Sequence, residues 1–179
     1  MIYGGLDIGT TGSKLTVFDD YAQMERFYLN YPSKRDNNGH EIDANIIYET
    51  VIQLLEIAVQ KYQITSIGIT SFGETFVLLD KFDNILFPSL LYTDPRGNKE
   101  ALYLERKIGK KKLGEITGQV GQGMFSLPKL MYIKKHYKII YKNVDKVLLI
   151  EDFIVYKLTG IRQIDYSLAS RTLAFDVNK

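Results

Sequence analysis

The residues with the plainest chemistry lie close together near the amino terminus: Asp7, Gly9, Thr10, Thr11, Gly12, Ser13 and Lys14. Glycine reaches backbone angles closed to other residues, so Gly9 and Gly12 let successive N–H groups converge on an anion, while Thr10, Thr11 and Ser13 add hydroxyl donors. Phosphate oxygens fit such a nest, and Lys14 supplies a compensating positive charge. Gly9, Thr10, Thr11, Ser13 and Lys14 are thus the candidate phosphate ligands. Asp7 points a carboxylate at the same space and is the candidate metal ligand, able to hold Mg2+ directly or through water. An ordinary hairpin with a glycine-rich turn is the alternative reading.

Positioning this turn requires a strand on each side. Met1 to Tyr3 and Leu6 to Ile8 are apolar enough for one strand, and Lys14 to Phe18 alternates as a half-buried strand does. The spacing is not that of a P-loop or of the Rossmann turn, since neither glycine pattern occurs and a strand, not a helix, follows.

Asp7 to Lys14 resembles the first phosphate motif of the FGGY carbohydrate kinases, members of the sugar kinase, actin and heat-shock chaperone superfamily. The resemblance implies an α/β, ribonuclease H-like (actin/sugar kinase) domain with a mixed β-sheet flanked by helices. It also implies ATP and Mg2+ as cofactors.

Along the chain, Asp19-Asp20 makes a tight turn, residues 27–31 form a third strand, and Pro32 to His40 is an exposed polar loop turning at Asp36-Asn37-Asn38-Gly39. Asp43 caps a helix that runs to about Lys61, with Ile42 and Ile47 as a hydrophobic staple. Ala44, Ile47, Val51, Leu54, Leu55 and Ala58 form its buried side. Strands follow at 64–70 and 75–80. Glu74, between them, is either a solvated turn acid or a carboxylate that accepts from two adjacent sugar hydroxyls.

Asp94 and Pro95 predict a helix from 95 to about 108, as cap and first residue. Arg96, near that helix start, opposes the dipole and pairs with a carboxylate. Lys110-Lys111-Lys112 is a solvated basic turn and residues 117–123 a flexible loop near the cleft. Ser126 caps a helix to about Lys135 with Leu127, Leu130, Met131 and Ile133 as its apolar positions. A strand at 146–150 precedes a helix from Asp152 to Leu158, ended by Thr159-Gly160. Residues 165–176 are a polar strand and turn, and His40 and His136 are solvated.

Three of these segments extend the resemblance. Ser71 to Asp80 is similar to the family segment that presents polar side chains to the substrate, which places Gly73 and Glu74 beside the sugar. Leu90 to Arg96 matches the family's Trp-x-Asp-x-Arg signature with Tyr92 as the sugar-stacking aromatic, so Tyr92, Asp94 and Arg96 join the substrate-binding set. Asp165 to Ser170 is close to the Asp-x-Ser-x-Ala-Ser signature that follows Leu158-Thr159-Gly160. Met124 stands where glycerol kinases carry a sugar-binding tyrosine, and methionine cannot donate to a hydroxyl.

The resemblance covers residues 1–179 and implies a truncated amino-terminal FGGY kinase domain. The catalytic aspartate and the carboxy-terminal nucleotide-binding domain are expected beyond Lys179, so the fragment by itself is expected to have negligible kinase activity. The implied reaction is transfer of the ATP γ-phosphate to a sugar hydroxyl, with a ketopentose such as xylulose as substrate. A truncated, non-catalytic domain that binds a sugar or a partner chain is the alternative. An actin-like or chaperone-like nucleotide switch ranks last, because it has no use for the later motifs.

Composition sets the outer bounds. The 179 residues suffice for one core, and 45% hydrophobic and 25% charged residues are ordinary for a globular protein. A net charge of +2 gives no footprint for nucleic acid, and the lack of cysteine excludes disulfides and thiol chemistry. No segment is apolar enough for a membrane span or shaped as a signal peptide, so a cytoplasmic protein is expected. Homodimer formation stays open.

Overall fold

The computed structural model describes residues 1–37 and 39–179. Three strands begin the chain, β1 (Tyr3–Ile8), β2 (Gly12–Phe18) and β3 (Gln23–Asn30), followed by a short pair, β4 (Lys34–Asp36) and β5 (Gly39–Ile42). Helix α1 (Ala44–Val59) leads to β6 (Ser66–Ser71), β7 (Phe76–Leu79), β8 (Ile85–Phe87) and β9 (Ser89–Leu90). The rest is mostly helical: α2 (Asn98–Ile108), α3 (Lys110–Thr117), α4 (Ser126–His136), α5 (Lys138–Lys142), β10 (Lys146–Leu149), α6 (Ile150–Thr159) and α7 (Tyr166–Ser170).

The main sheet is mixed, in the order β3-β2-β1-β6. Its first three strands form the expected antiparallel meander, and β6 returns parallel to β1 after crossing over through α1. Alternation along β1 and β2 turns Leu6, Ile8, Leu15 and Val17 into a core shared with Ile47, Val51 and Leu54 of α1 and with Phe153 and Ile154 of α6. Asp43 caps α1 by accepting from Asn45 N at 2.8 Å, and Ile42 and Ile47 are both buried, as the sequence predicts. Two smaller sheets, β10-β7-β8 and β4-β5-β9, extend this body.

Several expectations need correction. Residues expected to form a polar loop contain the β4–β5 hairpin, because β5 pairs with β9; Asn38 of the expected turn lies outside the described residues. The helix expected from Pro95 starts at Asn98 instead, after Gly97 at φ +114°. Asp94 cannot cap it, since its carboxylate is taken by Arg96 and by His40 N. Lys110-Lys111-Lys112, expected as a turn, is the exposed first turn of α3.

The helix expected at residues 126–135 has Phe125 as its cap residue, and Ser126 is the first helical position. Its inward face carries Ser126, Lys129 and Ile133, three and four residues apart, while Leu127, Leu130 and Met131 are only partly buried. Residues 165–176 begin with a helical turn, α7, capped by Asp165, which accepts from Leu168 N at 3.0 Å. Gly160 ends α6 at φ +74°, the left-handed stop expected of it.

Candidate functional site

Two stretches leave the main sheet together. Asp7 lies opposite Thr70 and Ile8 opposite Ser71 in the parallel pair, and Phe72 N donates to Ile8 O at 3.1 Å. The turn after β1 and the segment after β6 therefore emerge side by side at the carboxyl ends of parallel strands, the usual position of a crevice in such sheets.

The first stretch is the glycine-rich turn. Gly9 N donates to Gly12 O at 2.9 Å, and Tyr31, a buried neighbour, closes it from below. Its hydroxyl donates to Gly9 O and contacts Ser13 Oγ, and its N–H donates to Thr11 O at 3.2 Å. Burial pushes the Tyr31 phenol up to about 12, so it stays a donor. Thr10 is half-buried and Thr11 exposed, whereas Ser13 is fully buried with its hydroxyl on Tyr31. Of the expected hydroxyl donors, only the two threonines face outward.

The reason for glycine here differs from the expected one. Gly9 and Gly12 are not among the positive-φ glycines of the described residues. Space decides instead: a Cβ on Gly12 would sit 2.6 Å from Leu29 O and 2.8 Å from Tyr28 Oη. Asp7 and Lys14 share one sheet face as a register pair, with Lys14 Nζ donating to Asp7 Oδ2 at 2.9 Å and both side chains nearly half exposed. No group of three or more acidic or histidine side chains suited to a metal occurs among the described residues. A single carboxylate fits Mg2+, which keeps waters and takes phosphate oxygens for its remaining positions.

The second stretch centres on Glu74. It is not the solvated turn acid that was one reading of the sequence: it is 5% exposed and holds φ at +67°. Arg171, just after α7, donates from Nε and Nη2 to Glu74 Oε1. Its guanidinium lies 5.4 Å from the Phe125 ring centre. Ser126 Oγ donates to Glu74 O at 2.7 Å, and Thr75 Oγ1 to Leu90 O at 3.1 Å. Gly73 packs against Arg171, whose Cγ would be 3.6 Å from an added Cβ.

That last link to Leu90 brings in the third group. Tyr92 projects, 46% exposed, into a cavity of about 480 Å³ shared with Asp94, Asn98, Leu102, Gly123 and Met124. Arg96 pairs with carboxylates as expected, but from outside the helix: Nε donates to Asp94 Oδ1 at 2.9 Å and Nη1 lies 2.8 Å from Glu41. Burial would raise the Asp94 carboxyl, yet the hydrogen bonds from Arg96 and from His40 N hold it below its ordinary value. Asp94 and Arg96 thus brace the cavity wall, and Tyr92 is the exposed member of the trio. Gly39 is glycine because a Cβ would come 2.5 Å from Asp94 Oδ2. His40 is not freely solvated, for its ring meets Thr93 Oγ1 at 2.5 Å and Ser33 Oγ at 3.0 Å.

Lys129, Arg171 and Tyr31 are the site residues that sequence reasoning missed. Lys129 is fully buried, donates to Met124 O at 2.7 Å, and fits beneath Gly97, where an added Cβ would be 3.2 Å from its Cγ. Burial pushes its ammonium down to about 8 against the opposing pull of Asp94 and Glu74. Its spacing of three and four from Ser126 and Ile133 was the available signal. Arg171 carried none beyond its place in the Asp165 to Asp176 segment.

A mixed sheet with a glycine-rich turn at the end of its central strands and a buried carboxylate beside it defines a ribonuclease H-like domain of the actin and sugar kinase type. The chain belongs to the FGGY family of carbohydrate kinases: the N-terminal domain of that family matches residues 2–179. It is 32% identical over 178 residues to the xylulose kinase of Staphylococcus xylosus, covering 97% of this chain and 37% of that protein. It is 28% identical to the glycerol kinase of Thermococcus onnurineus, again covering 97% of this chain and 37% of the relative. Among solved structures, the xyloylose kinase of Brucella ovis superposes with a TM-score of 0.92 at 27% identity, over 98% of this chain and 38% of that one. The chain thus spans little more than a third of these relatives. No helix among the described residues is long and apolar enough to cross a membrane.

Proposed function

We propose that this chain is the phosphate-positioning and sugar-binding portion of an ATP-dependent sugar kinase whose acceptor is a ketopentose such as xylulose. The observation that carries this reading is the parallel pairing of β1 with β6, which sets the Asp7 to Lys14 turn beside the Phe72 to Glu74 segment. A phosphate donor and a hydroxyl acceptor held by those two stretches would meet at the carboxyl ends of β1 and β6.

In this mechanism the half-buried Thr10, the exposed Thr11 and the N–H groups of the turn hold phosphate oxygens, and Lys14 offsets their charge. Asp7 would hold Mg2+, which when bound neutralises charge on the phosphates. Glu74 accepts from a sugar hydroxyl, and Tyr92 lies against the sugar's apolar face across the cavity. Met124 in the cavity wall offers no hydroxyl, which favours a ketose over glycerol. Residues 1–179 would act as the amino-terminal domain, with the base for the hydroxyl proton and the adenosine site supplied by the portion of a kinase that this chain does not span.

The test is a thermal-shift panel of the 179-residue chain with D-xylulose, D-ribulose, L-rhamnulose, D-gluconate and glycerol, each with and without magnesium-ATP. A ligand present at 100 times its dissociation constant adds about 2.7 kcal/mol, which moves Tm by about 5 °C or more in a chain of this size. A selective shift with a ketopentose is the expected result. A shift with glycerol or gluconate in preference to both ketopentoses overturns the substrate assignment, and no shift with any sugar overturns the proposal that this chain holds the sugar.

A further inference from the structure

Glu74 pays for its position twice, in backbone conformation and in burial, and both features point to what holds it. A non-glycine residue in the left-handed region costs about 1 kcal/mol or more, and such strain gathers where surrounding structure has a use for it. Gly73 stands one residue earlier and would take that angle freely, so a mere turn would place the glycine one position later. The carboxylate is also 6% exposed, a burial that demands a partner.

That partner comes from 97 residues away. Nε and Nη2 of Arg171 converge on the same oxygen, Oε1, and the guanidinium rests on Phe125. Arg171 is itself fixed: its N–H donates to Leu168 O at 3.0 Å, and the next residue, Thr172, accepts from Leu127 N at 2.9 Å. Ser126 holds the Glu74 carbonyl from the same helix start. The arginine side chain is 40% exposed, so it is the solvent-facing member of the pair and Glu74 the buried one.

We propose that Arg171 is a positioning residue of the substrate site: by binding Glu74 Oε1 through two N–H groups it fixes the carboxylate and directs Oε2 to a substrate hydroxyl. The proposal rests on the sugar-binding reading of Glu74 given above. Two N–H groups of one rigid guanidinium hold Oε1 more firmly than the single flexible ammonium of a lysine would, and they leave Oε2 unclaimed by Arg171. The pairing also leaves the site with no net charge from these two groups, which suits a neutral sugar.

The experiment compares Arg171→Met, Arg171→Lys, Glu74→Gln and the double variant Glu74→Gln/Arg171→Met in the full 179-residue chain. Crystal structures of the two Arg171 single variants report the carboxylate, and calorimetric titration with D-xylulose reports affinity; Tm shows that each variant is folded. Arg171→Met should rotate the Glu74 carboxylate or split it into two conformers and weaken binding about tenfold, a coupling of ordinary size for directly bonded groups. Arg171→Lys should recover part of that loss, and Arg171→Met should cost little more once Glu74→Gln is present. An unmoved carboxylate in Arg171→Met overturns the proposal, as does an equal loss of affinity in the wild-type and Glu74→Gln backgrounds. Should the wild-type chain take up no sugar, the sugar-binding reading fails, and the crystallographic comparison alone decides what Arg171 does to Glu74.

Discussion

The two halves of the site are built by opposite means. The turn at Asp7 to Lys14 is local: its residues are neighbours in sequence, its charges are nearly half exposed, and backbone bonds plus the buried Tyr31 hold its shape. The Glu74 region is assembled from four distant segments, around residues 74, 94, 126 and 171, and its charged groups are mostly buried. The difference teaches where each half is vulnerable. Charge removal should hardly disturb the turn, whereas crowding should break it; in the Glu74 region a change of charge or proton count should be felt directly.

The largest expected effect is in the turn. Gly12→Ala places a methyl group against Leu29 O and should cost about 3 kcal/mol in urea unfolding, the upper range for overpacking. A loss below about 1 kcal/mol would show that the turn yields to crowding and would dissolve the contrast.

Next comes Asp152, which accepts from Leu149 N at 3.1 Å and lines a cavity with Ser126, Leu127 and Thr172. Burial raises its carboxyl to about 6, from an ordinary 3.8. The folded chain therefore binds this proton more tightly than the unfolded one, so the stabilisation is complete below the ordinary value and is lost as pH rises through about 6. Asp152→Asn keeps an acceptor without the charge. It should gain about 2 kcal/mol at pH 7.5 and almost nothing at pH 4, a difference that paired denaturation curves would read directly.

Glu74→Gly separates backbone from carboxylate. It relieves the left-handed angle and removes a buried charge, so stability should stay within about 1 kcal/mol of wild type while sugar affinity falls tenfold or more. Retained affinity would move the sugar away from Glu74. The smallest effect on folding belongs to Lys14→Met: an exposed pair is worth at most about 1 kcal/mol, so Tm should change little even as any shift with magnesium-ATP disappears.

Much of this architecture was legible in advance. Period-two alternation in β1 and β2, the Asp43 cap with its Ile42 and Ile47 staple, and the Gly160 stop are all governed by residues within a few positions of one another. The resemblance of residues 7–14, 71–80, 90–96 and 165–170 to one kinase family is likewise a property of short segments. The helix start at Asn98 was missed because the Asp94 carboxylate, a good cap in isolation, is claimed by Arg96 and by His40, 54 residues away. The buried face of α4 was misread because lysine is rarely buried, although its spacing from Ser126 and Ile133 put Lys129 on that face and Met124 O, five residues away, meets its ammonium.

What the sequence by itself determined, then, is the main strands and helices, the glycine-rich turn and the family, since strand alternation, caps and short motifs depend on near neighbours. The tertiary structure alone decided that Gly12 is needed for space, that Glu74 is buried against Arg171, that Asp94 and Arg96 brace a wall, and that Lys129 lies inside. Each of those outcomes depends on a group from another element: Leu29 for Gly12, Arg171 for Glu74, Glu41 for Arg96 and Gly97 for Lys129. Burial and charge pairing are properties of such encounters, and no single stretch of chain carries them.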